Sequence, residues 1–211
     1  MSQTTILPKS VKIIPYLRQL LKIGEVVAAP TETAYGLLAD ALNPRAVARV
    51  QKIKGREPPK PIALVASDLR MVKRYFRMTR SELRMANYFW PGPLTLLLKP
   101  KYKFRPAIMG RGGLVGVRIP GNAWLRRLVL ATNVPLTATS ANRAGRNTAY
   151  TLLAVRRAFK SRGLKYIVDG GNLPPRLTST VVKVDKDRLE ILRPGAVSQG
   201  RLNKVLKLKS Q

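Results

Sequence analysis

Three cations cluster in the segment KGREPPKP, residues 54–61. Lys54 and Arg56 end an amphipathic helical pattern and flank a glycine, and Lys60 follows two prolines that stiffen the loop. Arginine binds phosphate through two parallel hydrogen bonds and lysine binds it as a point charge, so this turn could hold a triphosphate. A helix C-terminus whose cations offset the helix dipole is the simpler alternative.

Two further segments place small polar side chains directly after strand-like runs. TATSANRAGRNT, residues 137–148, contains Ser140, Asn142 and Thr148, and PTETAYG, residues 30–36, contains Thr33. Open α/β sheets bind ligands at the carboxyl ends of their strands, so hydroxyl and amide groups there favour a ligand site. An ordinary polar turn and a capping turn remain the respective alternatives.

Two arginines occur in or at the end of apolar strand patterns. Arg118 lies inside VGVRIP, and Arg193 ends the run that leads into LRPG, after Ser179 near the start of STVV. A buried arginine needs a partner, either a carboxylate or an anionic ligand. Because the chain has only ten acidic residues, we favour an anionic ligand for Arg118. WPGPLTLLL, residues 90–98, is interpreted as structural, with Trp90 in the core.

Alternating strands and helices must position these segments. Asn43 as a cap, Pro44 in the first turn and Gly55 at the end predict a helix over residues 44–54. An antiparallel pair is predicted around a turn at residues 185–188. The pattern predicts an α/β fold with a mixed sheet. Further helices are expected at residues 11–23, 68–76, 80–89, 122–131 and 151–161, and strands at 25–30, 62–66, 94–98, 114–119, 135–140, 166–169, 179–184 and 189–193.

The charge balance is extreme. Forty Lys and Arg against ten Asp and Glu give a net charge of +30. No acidic residue occurs between Glu82 and Asp169, so the excess belongs to the folded body rather than to a tail. Such a charge favours anionic partners. We expect one domain over residues 1–200 and a short, loosely held basic tail over residues 201–211.

Missing residue types exclude several chemistries. The chain has no Cys and no His, which removes disulfides, thiolate nucleophiles, the commonest general base and the commonest transition-metal ligands. It has no Walker A or dinucleotide-binding glycine motif. The N-terminus has no apolar signal-peptide core, and no apolar run approaches about 18 residues, so a cytoplasmic location is expected.

Seven segments, taken in chain order, resemble the YrdC-like family of threonylcarbamoyl-AMP synthases, in its short single-domain type. The resemblance runs from about Glu25 to Gly195. The segments are PTETAYG, KGR with KP downstream, WPGPLT, VGVRIP, TSAN followed by a glycine, STVV and LRPG. It implies a twisted mixed sheet, parallel and antiparallel, with flanking helices and a basic concave face.

The resemblance also implies residue roles. Its K-x-R and S-x-N motifs fall on Lys54 and Arg56 and on Ser140 and Asn142, which would be the catalytic residues. Val65 stands where some members have a histidine, so that threonine contact is lost or replaced; Ala34 and Thr148 are milder departures. The implied ATP contacts are Arg56, Lys60, Ser140, Thr148 and Arg193, and the implied threonine contacts are Thr33, Lys54, Arg118 and Ser179.

The implied reaction makes L-threonylcarbamoyl-AMP and pyrophosphate from L-threonine, bicarbonate or CO₂, and ATP. The nucleophile is a carbamate formed on threonine, so the protein supplies positioning and positive charge. Mg²⁺ would arrive on the ATP phosphates, with no organic cofactor and no protein metal site. The product would serve threonylcarbamoyladenosine formation in tRNAs that read codons starting with A, through downstream transfer proteins.

The surplus charge exceeds what an ATP site needs, so RNA (tRNA or double-stranded RNA) is an expected partner. A solvated basic surface is the alternative. Two other functions stay open: a catalytically inactive RNA-binding protein of the same fold, acting on structured or ribosomal RNA, and a related carbamoyl transferase with another acceptor.

Overall fold

The computed structural model describes residues 4–55, 61–143, 148–186 and 188–207. Over these ranges the chain alternates helices and short strands. The helices are α1 Ile14–Lys22, α2 Pro44–Lys54, α3 Leu69–Tyr75, α4 Arg80–Phe89, α5 Ala123–Thr132, α6 Leu152–Phe159 and α7 Gln199–Lys207. The strands are β1 Thr5–Pro8, β2 Val27–Pro30, β3 Tyr35–Leu38, β4 Leu64–Val65, β5 Phe76–Arg77, β6 Leu94–Pro100, β7 Val115–Arg118, β8 Leu136–Thr137, β9 Thr139–Ser140, β10 Tyr166–Asp169, β11 Thr180–Asp185 and β12 Arg188–Arg193.

Helix α2 has the bounds that its sequence predicts. The Asn43 side chain accepts hydrogen bonds from the backbone N–H groups of Arg45 and Ala46, and Pro44 occupies the first turn. The helix ends at Gly55, whose φ of 60° is the left-handed conformation that glycine adopts without strain. The end of α2 therefore delivers Lys54, which is buried, to the interior.

Helix α3 begins at a carboxylate cap. Asp68 accepts a hydrogen bond from the backbone N–H of Met71 at 2.8 Å. Partial burial raises the pKa of Asp68, but the hydrogen bonds from Met71 and Ser67 and the nearby Arg70 outweigh it, so the pKa lies below the ordinary 3.8. The charged form of this cap is therefore the stabilising one.

Two mixed sheets form the scaffold, which confirms the predicted α/β class with parallel and antiparallel strands. The first has the order β1-β10-β2-β3-β9, and the second has the order β12-β11-β6-β7-β4-β8, with β5 paired to β6. The predicted 185–188 turn joins the antiparallel pair β11 and β12. The strand predicted over residues 135–140 is divided, with β8 in the second sheet and β9 in the first.

The division of that strand brings the two sheets together. In β8, the Thr137 N–H donates to the Ala39 carbonyl and its hydroxyl donates to the Leu37 carbonyl. Two residues further on, β9 pairs antiparallel with β3. The two sheets therefore adjoin along residues 136–140.

The prediction of a loosely held basic tail is wrong for residues 201–207. These residues belong to α7, where Leu202, Val205 and Leu206 are buried and face α4. Arg84 on α4 also donates a hydrogen bond to the Leu206 carbonyl at 2.8 Å. The apolar residues are spaced as on one helix face, and burying them outweighs the repulsion of the surrounding cations.

In the described part of the chain, none of the helices combines the length and hydropathy needed to cross a bilayer. Trp90 is buried and its indole N–H donates to the Leu94 carbonyl at 2.7 Å, as expected for a core residue.

Candidate active site

A polar pocket lies where the two sheets meet. Residues from β3, β6, β7, β9 and β12, from the turn after β2 and from the segment that leads into β11 line it. Six residues selected from the sequence are among them: Thr33, Arg118, Ser140, Thr148, Ser179 and Arg193. Five distant segments of the chain therefore converge on one cavity.

Among the described residues, two arginines carry the positive charge of this pocket. Burial lowers the pKa of the Arg118 guanidinium, although the charge of Glu32 opposes that shift. Burial also lowers the pKa of Arg193, and repulsion from Arg118 adds to the effect. Both groups stay charged at neutral pH because an arginine pKa lies so high. An anion bound beside them would relieve their repulsion, so the pocket suits a negatively charged ligand.

Arg118 has a carboxylate partner. Its guanidinium donates to Glu32 Oε1 in a buried ion pair, with side chains only 8% and 15% exposed. The sequence favoured an anionic ligand over a carboxylate for this arginine, whereas the structure pairs it with Glu32 in the turn after β2. Because the guanidinium also lines the pocket, the carboxylate does not remove it from ligand binding. Within the described residues, Glu32 Oε2 is buried and has no hydrogen-bond partner.

Arg193 is held by the start of β11. Its Nη2 donates to the Ser179 carbonyl at 2.8 Å and to the Ser179 hydroxyl at 3.0 Å, and its Nε donates to the same carbonyl at 3.3 Å. The Ser179 hydroxyl also lies 2.8 Å from Thr95 Oγ1. The sequence analysis missed Thr95, although it is the one polar side chain in the apolar run LTLLL, and that exception was the available signal.

Lys54 and Asn142 are not among the described residues that line the pocket, but both contact Ser140, which does. Lys54 Nζ donates to the Ser140 carbonyl at 2.6 Å and to Asn142 Oδ1 at 3.4 Å. The Ser140 hydroxyl donates to Asn142 Oδ1 at 2.5 Å. Lys54 and Asn142 therefore fix the position of Ser140, which is the member of this group that lines the cavity.

Four other residues singled out from the sequence lie partly outside the described residues, partly in the second sheet and partly in the pocket lining. Arg56 and Lys60 lie outside the described residues. Val65, at the position of the family histidine, is fully buried on β4 and pairs in register with Arg118 on β7. Ala34 lines the pocket.

Tyr35 anchors the loop that follows β10. Its hydroxyl accepts from the Gly170 N–H at 2.8 Å and donates to the Gly171 carbonyl at 2.9 Å. Burial, with a hydrogen bond from Gly170 opposing it, raises the pKa of this phenol, so it stays neutral and can donate. The loop leads to Thr178 and Ser179, which line the pocket.

Comparisons with known proteins define the class of this site. Residues 19–195 match the Sua5/YciO/YrdC family, described as "Telomere recombination". A threonylcarbamoyl-AMP synthase of Chromobacterium violaceum is 33% identical, with 82% of this chain and 89% of that protein covered. The chain belongs to this family, and the prediction of an enzyme of the threonylcarbamoyl-AMP synthase class is confirmed.

The structural comparisons agree. A structure of Pyrococcus abyssi Sua5 complexed with L-threonine has a TM-score of 0.86 at 29% identity, covering 98% of this chain and 61% of that one. The threonylcarbamoyl-AMP synthase of Pyrococcus abyssi is 34% identical in sequence, and the match covers 88% of this chain and 55% of that protein. Escherichia coli YciO has the same fold, with a TM-score of 0.83 at 21% identity and 96% and 100% coverage.

Proposed function

We propose that this protein makes L-threonylcarbamoyl-AMP and pyrophosphate from L-threonine, bicarbonate or CO₂, and ATP. The observation that carries the proposal is the pair of guanidiniums, buried Arg118 and the more exposed Arg193, which line one pocket with the hydroxyls of Thr33, Ser140 and Ser179. Donors of this kind fit the carboxylate and phosphate groups of the two larger substrates. The relative that was solved with L-threonine supports the choice of amino acid.

The reaction needs no nucleophile from the protein. The threonine amine adds to CO₂ and loses a proton, which gives a carbamate. A carbamate oxygen attacks the α-phosphorus of ATP, and the bond from that phosphorus to the bridging oxygen of pyrophosphate breaks. Negative charge moves to the leaving group, where cations stabilise it. Mg²⁺ would be carried on the triphosphate.

We assign roles to the described residues as the family resemblance implies. Thr33, Arg118 and Ser179 would hold threonine, and Ser140, Thr148 and Arg193 would hold ATP. Lys54 and Asn142 would act on the reaction by fixing Ser140. Arg56 and Lys60 remain expected ATP ligands from the sequence.

The test is threonine-dependent release of pyrophosphate from ATP in bicarbonate and Mg²⁺, with product detected by mass spectrometry. The proposal expects a product with the mass of threonylcarbamoyl-AMP, with serine and glycine as weaker substrates. Carbamoyl phosphate or another amino acid supporting faster turnover would instead favour the related carbamoyl transferase.

RNA is the second proposed ligand. It would bind on the face of the second sheet that also carries Thr95. Thr95 and Lys99 point to one side of β6 because side chains alternate along a strand. Lys99, Arg77 and Lys183 line a second cavity on that side, beside the carboxylates of Glu82 and Asp185. The net charge of +30 supports RNA binding by phosphate neutralisation. We also propose a role in tRNA modification, downstream proteins that transfer the threonylcarbamoyl group, and a cytoplasmic location.

An inactive RNA-binding protein is the alternative function, and threonine-dependent turnover separates the two. Phosphate contacts give an RNA affinity that falls steeply with salt. The alternative requires such binding together with an absence of threonine-dependent turnover. Replacing Lys99 and Lys183 by glutamine should weaken RNA binding and leave pyrophosphate release unchanged if both activities exist.

A further inference from the structure

A pair of hydroxyls lies at one end of the pocket. Thr95 is only 1% exposed and Ser179 is 7% exposed, and both line the cavity. Their oxygens are 2.8 Å apart. Register brings them together, because Thr180, the residue after Ser179, pairs with Leu94, the residue before Thr95.

The hydrogens and lone pairs of the two hydroxyls determine which ligand groups the pair can bind. Each hydroxyl has one hydrogen to donate and two lone pairs to accept with. Arg193 can only donate, and it donates to the Ser179 oxygen at 3.0 Å. One of the two hydroxyl hydrogens joins the two oxygens. The other hydrogen has no acceptor among the described residues, whichever oxygen carries it.

Either hydroxyl could carry the remaining hydrogen. Ser179 is the more exposed of the two, so the arrangement that leaves this hydrogen closer to the cavity is the one in which Thr95 donates to Ser179. Ser179 then accepts two hydrogen bonds, from Thr95 and Arg193, and its acceptor capacity is filled. In this arrangement the Ser179 hydroxyl can donate to an acceptor on a ligand. It cannot bind an ammonium group, because ammonium only donates hydrogen bonds.

The geometry points to Thr95 as a positioning residue that fixes Ser179 as a hydrogen-bond donor to the carboxylate of the amino-acid substrate. This inference rests on the proposed function for the identity of that substrate. Arg118 lines the same pocket, so the pocket offers both N–H and O–H groups to an oxyanion. The phosphates of ATP are the other oxyanions present, and the experiment separates the two.

The experiment compares Thr95→Val with Thr95→Ser. Valine has almost the same shape and removes the hydroxyl, and serine keeps it. Thr95→Val should raise the KM for threonine about tenfold, the value of one buried hydrogen bond, and leave the KM for ATP within about twofold. Thr95→Ser should stay within about twofold of wild type for both substrates. A raised KM for ATP with an unchanged KM for threonine would overturn the assignment to the carboxylate.

Threoninamide supplies a readout that a merely structural role would not move. It keeps the amine and the hydroxyl of threonine and replaces the carboxylate by a neutral amide. In calorimetric binding, Thr95→Val should weaken threonine about tenfold and weaken threoninamide much less. Equal losses for both ligands would overturn the inference.

Binding also separates this inference from the proposed function. Absence of threonine-dependent turnover by the wild-type protein would refute the proposed function, while the calorimetric comparison would still be decisive for Thr95. Urea unfolding of both variants serves as the control for folding. If Thr95→Val does not fold, Thr95→Ala with the same two ligands replaces it.

Discussion

Replacing Glu32 by leucine tests the buried ion pair beside the pocket. The change leaves the Arg118 guanidinium without its carboxylate, and that side chain is only 8% exposed. Removing one partner of a buried pair costs about 3–5 kcal/mol. Because the guanidinium lines a polar cavity and Glu32 Oε2 already lacks a partner among the described residues, we expect the lower end, about 3 kcal/mol. Domains of ordinary stability have about 5–15 kcal/mol in total.

Glu25 offers a matched control for that experiment. Its side chain is 14% exposed, against 15% for Glu32, but its partners Arg49 and Lys165 are 33% and 40% exposed. Those cations reach water when the carboxylate is lost, so Glu25→Leu should cost about 1 kcal/mol or less. The difference between the two variants in the free energy of unfolding therefore reports how much it costs to leave a cation unpaired when it is buried.

The assay is urea unfolding at neutral pH, followed by tryptophan fluorescence. Glu32→Leu should lower the midpoint without a change of slope. Glu32→Gln keeps one acceptor for Arg118 and loses the charge, so we expect a smaller loss of about 1–2 kcal/mol. Equal losses for Glu32→Leu and Glu25→Leu, or no loss in Glu32→Leu, would refute the reasoning.

Three further predictions concern the caps, the last helix and the activity. Asp68→Ala should lower the free energy of unfolding by about 1 kcal/mol near pH 7. Because the pKa of Asp68 is lowered in the folded protein, the stabilisation by its carboxylate is present above about pH 4 and is lost as the pH falls through that pKa. Urea unfolding of wild type and variant should therefore converge in acid. Leu202→Ala should cost about 2–5 kcal/mol, and an unchanged midpoint would mean that α7 does not pack on the domain. Lys54→Met should lower kcat/KM for pyrophosphate release at least about tenfold by freeing Ser140, while Lys52→Met, exposed on the same helix, should not.

Local signals predicted the elements whose boundaries are set by adjacent residues. Helix α2 follows directly from Asn43, Pro44 and Gly55, since each acts within one turn. Strand β3 was not predicted, because PTETAYG has no strand pattern of its own and β3 forms by pairing with β2 and β9. The division of residues 135–140 between two sheets likewise depends on long-range pairing that no local pattern records.

The site was predicted in part for the same reason. Motif residues such as Arg118 and Arg193 could be selected because an arginine in an apolar strand is unusual. Their pairing with Glu32 and with Ser179 could not be predicted, because those contacts depend on how distant segments meet. The indirect position of Lys54 depends on where the buried end of α2 meets β9.

The most direct test of the central claim is the dependence of pyrophosphate release on threonine. Purified protein is incubated with ATP, Mg²⁺ and bicarbonate, with and without L-threonine, and both products are quantified. The account predicts one pyrophosphate and one threonylcarbamoyl-AMP per ATP consumed, with negligible release when threonine is omitted. Pyrophosphate release that is absent, or that is the same without threonine, would contradict it.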